Sequence, residues 1–283
     1  MRRSQSPSDD ADEPSVIREL QSVDDDGSNA LLLRLNRPSQ LNAIDWPTVL
    51  DLEEALKTAD EDSSIRTVLL IGEGRAFSAG GDLKSYLTLQ RDPVAFPRFL
   101  EDFHRTCSHI QLLRKPVVAL VNGVTAAGGL ELLLSCDFAI AAKTARIGDA
   151  HLQYGQMGGG GVLTMLPRMI GPSRARQLIF SGRFLTADEA CDWGLVTSVV
   201  PDDELLEAGL EFSRGVATRS PLAIANAKFV LNTAWSDGTG MESALRLERE
   251  RTAYYSLTAP DSHEGLSAFR DKRRPVYRGK ASS

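Results

Sequence analysis

The chain has 283 residues, 42% of them hydrophobic, and 32 basic against 38 acidic residues give it a net charge of −6. That acidic balance disfavours a nucleic-acid partner, which would need a broad basic surface. No apolar run reaches the roughly 18 residues that a membrane-spanning helix requires. Residues 1–15 are polar and acidic and contain no apolar stretch, so they predict a disordered tail rather than a secretory signal.

The predicted elements alternate between strands and helices over residues 16–200, which indicates an α/β core. Strands are predicted at 30–35, 67–74, 116–123, 137–142 and 196–200, and helices at 47–59, 104–115 and 126–136. Residues 84–104 show no clear periodicity and predict a mobile loop or frayed helices. The pattern beyond residue 200 is almost entirely helical. We therefore divide the chain into a tail (1–15), an α/β core (16–200) and a helical C-terminal region (201–283).

The cysteines and histidines give no sign of a metal site. The three cysteines are odd in number and lack metal-ligand spacing, which favours buried thiols in a reducing, cytoplasmic compartment. The four histidines also lack metal spacing. No G-x-G-x-x-G opens a helix after a strand, so nicotinamide binding is unsupported. Ser78 is not in a G-x-S-x-G elbow, which argues against a hydrolase nucleophile.

The first segment that indicates chemistry is GEGRAFSAGGDLKS, residues 72–85. A strand runs into glycines and other small residues and then reaches Asp82. Small residues let a ligand approach the main chain, and turns expose N–H donors. A tight surface turn would explain the same composition, so this segment alone leaves both interpretations open.

The second segment is VNGVTAAGGLELLLSCD, residues 121–137. A helix is predicted to begin near Gly128, where free N–H groups and a partial positive charge are available. Glu131 follows three residues later, so both face the same side of the first turn. The alternative is an acid that merely favours a helix start. Because the rest of this helix is apolar and predicted to be buried, we favour a functional role for Glu131.

Together these segments resemble the crotonase superfamily, the enoyl-CoA hydratase/isomerase family, over about residues 31–278. RPSQLNAID (37–45) resembles the family's first CoA-side motif, and AFSAGGDL (76–83) and VNGVTAAGGLEL (121–132) resemble its two oxyanion-hole loops. HEGLSAFRDKRRP (263–275) resembles its C-terminal helix. Each motif is moderately specific, and their occurrence in the family's order is strongly so.

The resemblance implies a crotonase-like spiral of ββα units with a helical C-terminal region that supports trimerisation. It implies an acyl-CoA thioester substrate and no permanently bound cofactor. Backbone N–H groups, by position those of Ser78 and Gly128, would hold the thioester oxygen as it becomes an enolate. The expected assembly is a homotrimer or a dimer of trimers.

In hydratases of this family two glutamates position the water and transfer its proton. Glu131 matches the first, but the position of the second is held by His151 in IGDAHLQYG. The GGGG that follows replaces the usual Pro-Gly turn, so the register can slip and Asp149 is an alternative partner. His151 is either catalytic, since an imidazole can act as base near neutral pH, or a pocket residue that orients substrate or water.

The resemblance also assigns contacts with CoA. The candidates near the oxyanion loops are Arg37, Ala43, Ser78, Gly80, Asp82 and Leu83. Phe269 and Lys272 match a phenylalanine and a lysine that reach the adenosine-phosphate end of CoA, where a lysine charge suits phosphate. Lys272 could instead belong to a solvated basic helix end.

We therefore predict hydration of a 2-enoyl-CoA to a 3-hydroxyacyl-CoA. The alternatives are an enoyl-CoA isomerase, a thioester or β-diketone hydrolase, and a non-catalytic CoA-binding homologue. The departure at His151 bears on the reaction more than on the fold. The acyl chain is not predicted, because pocket depth depends on residues 84–104.

Overall fold

The computed structural model describes residues 14–236 and 240–279. In that part of the chain the strands are β1 Val16–Ser22, β2 Asn29–Leu35, β3 Ile65–Gly72, β4 Ala76–Ser78, β5 Val117–Val121, β6 Val124–Ala126, β7 Phe138–Ala142, β8 Arg146–Gly148, β9 Phe184–Thr186 and β10 Ser198–Val200. The helices are α1 Trp46–Glu61, α2 Leu83–Leu89, α3 Ala95–Leu112, α4 Gly128–Ser135, α5 Val162–Ile170, α6 Pro172–Ser181, α7 Ala187–Asp192, α8 Leu205–Ala217, α9 Pro221–Ser236, α10 Met241–Thr258 and α11 Pro260–Arg270.

The strands form two sheets that the chain visits in turn. The larger sheet has the order β1-β2-β3-β5-β7-β10, and the smaller has the order β4-β6-β8-β9. Strands β1 and β2 pair antiparallel, as do β8 and β9, whereas β4, β6 and β8 are parallel neighbours. Each passage from β3 to β4, from β5 to β6 and from β7 to β8 adds one strand to each sheet. This repetition produces the spiral of ββα units that the resemblance implies.

The larger sheet is buried on both faces, which explains its apolar runs. Along β2, Leu31, Leu33 and Leu35 pack into the core cluster that includes α1, α3 and α4. Ala30 and Leu32 point to the opposite face, where they join the cluster beneath α8. Gly209 lets α8 approach closely, because a Cβ there would lie 3.0 Å from the methyl carbons of Leu120.

The structure departs from the sequence predictions in residues 84–104 and in five strands that were not predicted, namely β1, β4, β6, β8 and β9. Residues 84–104, predicted as a mobile loop or frayed helices, lie mainly in α2 and α3. Phe99, Phe103, Cys107 and Ile110 are buried along one face of α3, but the turn between α2 and α3 interrupts the helical period over residues 84–104. Strand β1 was not predicted at all. Leu20 on this edge strand is 57% exposed, so its place depends on pairing with β2 rather than on an apolar pattern.

The predicted tail, residues 1–15, lies outside the described residues except for Pro14 and Ser15. The Ser15 hydroxyl donates to Asp51 Oδ2 at 2.6 Å, and its carbonyl oxygen accepts from the N–H of Asn36 at 2.8 Å. The chain is therefore tied to α1 and β2 from Ser15 onward.

A buried lysine joins the C-terminal helices to the core. Lys228 on α9 donates from Nζ to Asp137 Oδ2 at 2.7 Å and to the carbonyl oxygens of Ile110 and Lys115, each at 3.0 Å. Its side chain is 8% exposed. Burial lowers the pKa of Lys228, while the Asp137 carboxylate opposes that shift. One ammonium group therefore bonds α9 to α3 and to the segments that precede β5 and β7.

We predict that Lys228→Met destabilises the protein by about 3 kcal/mol, because it leaves two buried carbonyl groups without this donor and removes the charge partner of Asp137, whose Oδ2 also accepts from the N–H of Val117 at 2.7 Å. The comparison is Lys143→Met, which removes a bond to Asp188 between side chains that are 62% and 60% exposed and should cost less than about 1 kcal/mol. The measurement is the free energy of unfolding in urea. Equal losses in the two variants would contradict the assigned role of Lys228.

Candidate active site

Two adjoining cavities open where the smaller sheet ends. The inner cavity holds about 300 Å³ and the outer cavity about 390 Å³. They share Gly81, Tyr86, His151 and Gln156. The inner cavity is otherwise mostly apolar, with Ile44, Phe96, Phe99, Leu100, Phe103 and Met157 among its lining residues.

Three neighbouring parallel strands supply the polar groups. Gly81 follows the carboxyl end of β4, Gly128 follows that of β6, and His151 follows that of β8. The carboxyl ends of parallel strands lie along one edge of a sheet, which is where ligands commonly bind in α/β proteins. The topology therefore brings together residues that are up to 70 positions apart in the sequence.

Glu131 lies in the first turn of α4 and is 2% exposed. Its Oε1 accepts from the backbone N–H of Gly160 at 2.7 Å and from that of Val162 at 3.3 Å. Burial raises the pKa of Glu131, although the charge of His151 and the two backbone donors act in the opposite direction. Since Oε1 is held by the main chain, Oε2 is the oxygen available to a ligand.

The glycine run brings the main chain against this carboxylate. A Cβ at Gly158 would lie 2.8 Å from Glu131 Oε1, and one at Gly160 would lie 3.0 Å from Oε2 and 2.5 Å from the Phe103 ring. Gly161 has φ of 122°, a conformation that L side chains rarely adopt. Gly158 and Gly160 are therefore required by close approach to Glu131 and Gly161 by backbone conformation, while a Cβ at Gly159 would lie 2.9 Å from the Leu100 side chain.

His151 faces Glu131 across a short gap. Its Nε2 is 3.9 Å from Glu131 Oε2, whereas its Nδ1 lies 2.5 Å from Asp149 Oδ1. Burial lowers the pKa of His151, but the hydrogen bond to Asp149 and the charges of Glu131 and Asp149 outweigh it, so the net shift is upward. The carboxylate at Nδ1 fixes the proton there and aims Nε2 at Glu131.

The 3.9 Å separation is too long for a direct hydrogen bond but allows one water oxygen to contact both atoms. Asp149 is 1% exposed and lies behind His151 rather than along either cavity. Of the two candidate partners, the imidazole is the one that faces the site. An acid and a base so placed can deliver a proton and remove one from the same small volume.

The two glycines beside this pair offer main-chain donors. A Cβ on Gly128 would lie 3.6 Å from the nitrogen of Gly81, so the two N–H groups are close neighbours. Within residues 14–236 and 240–279, neither N–H has a hydrogen-bond acceptor in the protein. Ala127, directly before Gly128, has φ 48° and ψ −117°, a conformation that costs a non-glycine residue about 1–3 kcal/mol. The strain orients the start of α4 toward Gly81.

Ser78, predicted as the first donor of this pair, is placed elsewhere. It is fully buried, and its hydroxyl donates to the carbonyl oxygen of Asn42 at 2.8 Å. It lines neither cavity. The residue beside Gly128 at the cavity is Gly81, three positions later, because β4 ends at Ser78 and the loop must still turn before it meets α4.

The remaining candidates around the outer cavity fall into two groups. Ala43, Asp82 and Leu83 line it. Arg37 and Gly80 do not, but they hold the wall in place. The guanidinium of Arg37 is 2.9 Å from Asp82 and 3.2 Å from Asp45, and the carbonyl oxygen of Gly80 accepts from the N–H of Ile44 at 2.8 Å. Burial acts to raise the pKa of Asp82, but the Arg37 guanidinium and the N–H groups of Ser85 and Lys84 together outweigh it and lower that pKa.

Phe269 and Lys272 are not brought to the site within this chain. Phe269, on α11, is 85% exposed, and Lys272 follows the end of that helix with φ of 51°. Neither lines the inner or the outer cavity.

Sequence reasoning missed Gly81 and Tyr86. Tyr86 lies four residues after Asp82, the N-cap of α2, so both are on the same face of that helix. Phe96, Phe99 and Phe103 follow at spacings of three and four, a helical stripe that could have indicated a cavity wall within residues 84–104.

We predict that the imidazole of His151 titrates above its usual pKa of about 6.5, and that Asp149→Asn lowers this pKa by removing the carboxylate that stabilises the charged form. The measurement is NMR titration of the histidine side chains, with Asp188→Asn as a surface control. A His151 pKa that is the same in Asp149→Asn and wild type would contradict the pairing.

In the described part of the chain, no cluster of three or more His, Cys, Asp or Glu side chains is arranged to hold a metal ion. Among the same residues, no helix is both long and apolar enough to span a bilayer.

Comparison with known proteins agrees with this architecture. The chain is 36% identical to the 2,3-dehydroadipyl-CoA hydratase of Escherichia coli over 251 residues, 88% of this chain and 95% of that protein. It is 32% identical to the mitochondrial enoyl-CoA hydratase of Pongo abelii over 248 residues, 87% of this chain and 83% of that protein. The crystal structure of an enoyl-CoA hydratase from Bacillus anthracis superposes with a TM-score of 0.86 at 31% identity, covering 94% of this chain and all of the other.

The predicted α/β fold of the crotonase type is thereby confirmed, including helices at the C-terminal end. The sequence model of the enoyl-CoA hydratase/isomerase family matches residues 26–280. On this match and these relatives, the chain belongs to the enoyl-CoA hydratase/isomerase family.

Proposed function

We propose that the protein adds water across the double bond of a 2-enoyl-CoA to give a 3-hydroxyacyl-CoA. The observation that carries the proposal is the 3.9 Å gap between His151 Nε2 and Glu131 Oε2. A water molecule in that gap would contact both a carboxylate and an imidazole, beside two main-chain donors.

The N–H groups of Gly81 and Gly128 hold the thioester oxygen in this proposal, with Gly81 in the role first assigned to Ser78. Negative charge develops on that oxygen as water attacks C3 and the enolate forms. Preorganised donors at such an oxygen are worth about 3–4 kcal/mol each where they have been removed singly. The absence of other acceptors for these two N–H groups among the described residues supports the assignment.

Glu131 is the base and His151 the acid. Oε2 of Glu131 takes a proton from the water as its oxygen bonds to C3, and the imidazolium gives its Nε2 proton to C2. The proton on Glu131 then passes through the next water to Nε2, which restores both groups. Asp149 supports the charged imidazole throughout. The upward pKa shifts of both residues suit these roles, since His151 stays protonated to higher pH.

Hydration is favoured over the alternative reactions by the pairing of the two groups. A shift of the double bond needs one base, whereas an acid and a base separated by the width of a water fit addition. Hydrolysis with Ser78 as the nucleophile is disfavoured, because this residue is buried and lines neither cavity. Burial of the Glu131 carboxylate is unfavourable, as its raised pKa indicates. A homologue that only binds CoA would have no need of such a buried carboxylate.

The outer cavity is proposed to hold the CoA end of the substrate, against Ala43, Asp82 and Leu83. No permanently bound cofactor is required by this mechanism. Phe269 and Lys272 would contact the adenosine-phosphate end only from a neighbouring subunit or after movement of α11, because neither lines the cavity in the single chain.

We expect Glu131→Gln and His151→Ala each to lower kcat for hydration of crotonyl-CoA by about 10²–10⁴-fold, because each removes one proton-transfer group. Turnover would be followed by loss of the enoyl absorbance, with the product identified by mass. Matched controls are Glu101→Gln and His104→Ala, both at exposed positions of α3, which should retain wild-type rates.

If Glu131→Gln alone abolished hydration, His151 would be a pocket residue rather than the acid. If the wild type failed to hydrate crotonyl-CoA and longer 2-enoyl thioesters but isomerised 3-enoyl thioesters, the proposed reaction would be wrong.

A homotrimer, or a dimer of trimers, is proposed from the C-terminal helices. They carry large apolar side chains that are more than half exposed in the single chain, namely Leu231, Trp235, Met241, Leu245, Tyr254, Leu257, Leu266 and Phe269. Such a surface is typical of one buried in an assembly. Sedimentation at micromolar concentration should give three or six times the 30.8 kDa of one chain, and the mass of a single chain would contradict the proposal.

A further inference from the structure

Tyr86 lies where the inner and outer cavities meet. It belongs to α2 and lines both cavities. A Cβ at Gly81 would lie 2.8 Å from the Tyr86 hydroxyl oxygen. The hydroxyl is therefore a close neighbour of the residue whose N–H faces the proposed thioester oxygen.

The ring of Tyr86 is held from several directions. It packs edge-on against Phe99 and Phe96, with ring centroids 5.5 and 5.8 Å apart. Its backbone N–H donates to the carbonyl oxygen of Asp82 at 3.0 Å, and the Asp82 side chain caps α2 while it pairs with Arg37. The position of the hydroxyl is thus fixed before any substrate binds.

The hydroxyl itself is not used by the fold. Among the residues that the structure describes, it makes no hydrogen bond. Tyr86 is half-buried and lines both cavities, so its hydroxyl is accessible to a ligand bound there. A bound ligand is the partner that this placement provides for.

We infer that Tyr86 is a further catalytic residue whose hydroxyl donates a third hydrogen bond to the thioester oxygen as that oxygen becomes the enolate. The inference rests on the proposed hydration and extends it. No covalent bond changes at Tyr86, because the proton stays on the phenol oxygen while charge develops on the acceptor. This donor differs from the two N–H groups in that a single side-chain substitution removes it.

The electrostatics agree with a donor role. Burial and the nearby Glu131 charge raise the pKa of Tyr86 to about 12. The phenol is therefore protonated throughout the pH range in which a carboxylate and an imidazolium can operate together. A proton-accepting role for Tyr86 would require the phenolate, which this environment disfavours.

The test is Tyr86→Phe, which keeps the ring and its packing against Phe96 and Phe99 and removes the hydroxyl alone. We expect kcat for crotonyl-CoA hydration to fall about 10- to 100-fold with KM changed less than about twofold, because the lost bond is strongest in the transition state. Thr88→Val removes a hydroxyl from an exposed position of the same helix, outside both cavities, and should leave both constants unchanged.

A second readout separates a donor from a residue that merely shapes the cavity. Acetoacetyl-CoA ionises to an enolate that absorbs in the near ultraviolet, and donors at its thioester oxygen favour that form. We expect the pH midpoint of enolate formation on the enzyme to rise by about one unit in Tyr86→Phe, the equivalent of a tenfold loss of enolate stabilisation.

Unchanged kcat and an unchanged enolate midpoint in Tyr86→Phe would overturn the inference while leaving the proposed function intact. A change in KM without a change in kcat would do the same, because it would indicate a role in shaping the cavity. If the wild-type protein neither hydrated enoyl thioesters nor bound acetoacetyl-CoA, the proposed function itself would fail, and with it the inference.

Discussion

The structure of the site depends on one buried carboxylate. Glu131 is held in an apolar helix by two backbone N–H groups of the loop that follows His151, and this contact requires a loop without side chains at Gly158 and Gly160. A carboxylate removed from water is costly unless it is hydrogen-bonded. The two N–H groups offset part of that cost by hydrogen-bonding to Oε1 of Glu131, and they leave Oε2 available to a ligand. The remaining parts of the site are arranged around that free oxygen.

The spiral fold supplies this arrangement through the smaller sheet. Strands β4, β6 and β8 are short, yet each ends two or three positions before a residue of the site. The larger sheet and its two apolar clusters provide the rigid support, and Lys228 fastens the C-terminal helices to it. The residues of the site thus lie on three neighbouring loops, whereas the fold is stabilised by other parts of the chain. A site residue can therefore be replaced without a change of fold. The histidine at position 151 is such a replacement.

The sequence was most informative where local chemistry and apolar pattern agreed. The long buried strands, α1, and Glu131 just inside a glycine-started helix could all be predicted, because each depends on residues close together in the chain. Ser78 was chosen in place of Gly81 because the exit path of the loop after β4 is set by contacts with α4 and Ile44, which are distant in sequence. Strand β1 and the aromatic face of α3 were missed for different reasons. The first depends on pairing with β2, and the helical period of the second is interrupted over residues 84–104 by the turn between α2 and α3.

The strained backbone conformation of Ala127 lowers the stability of the folded protein. A glycine at this position would adopt the same backbone angles without strain, whereas alanine holds them only because the surrounding structure enforces them. Glycine would also give the unfolded chain more freedom and the folded loop more latitude. The methyl group thus narrows the directions available to the N–H of Gly128. The strain at Ala127 thus lowers the stability of the folded protein slightly while it restricts the direction of the Gly128 N–H. The side chain that is best for stability at this position need not be the one that is best for activity.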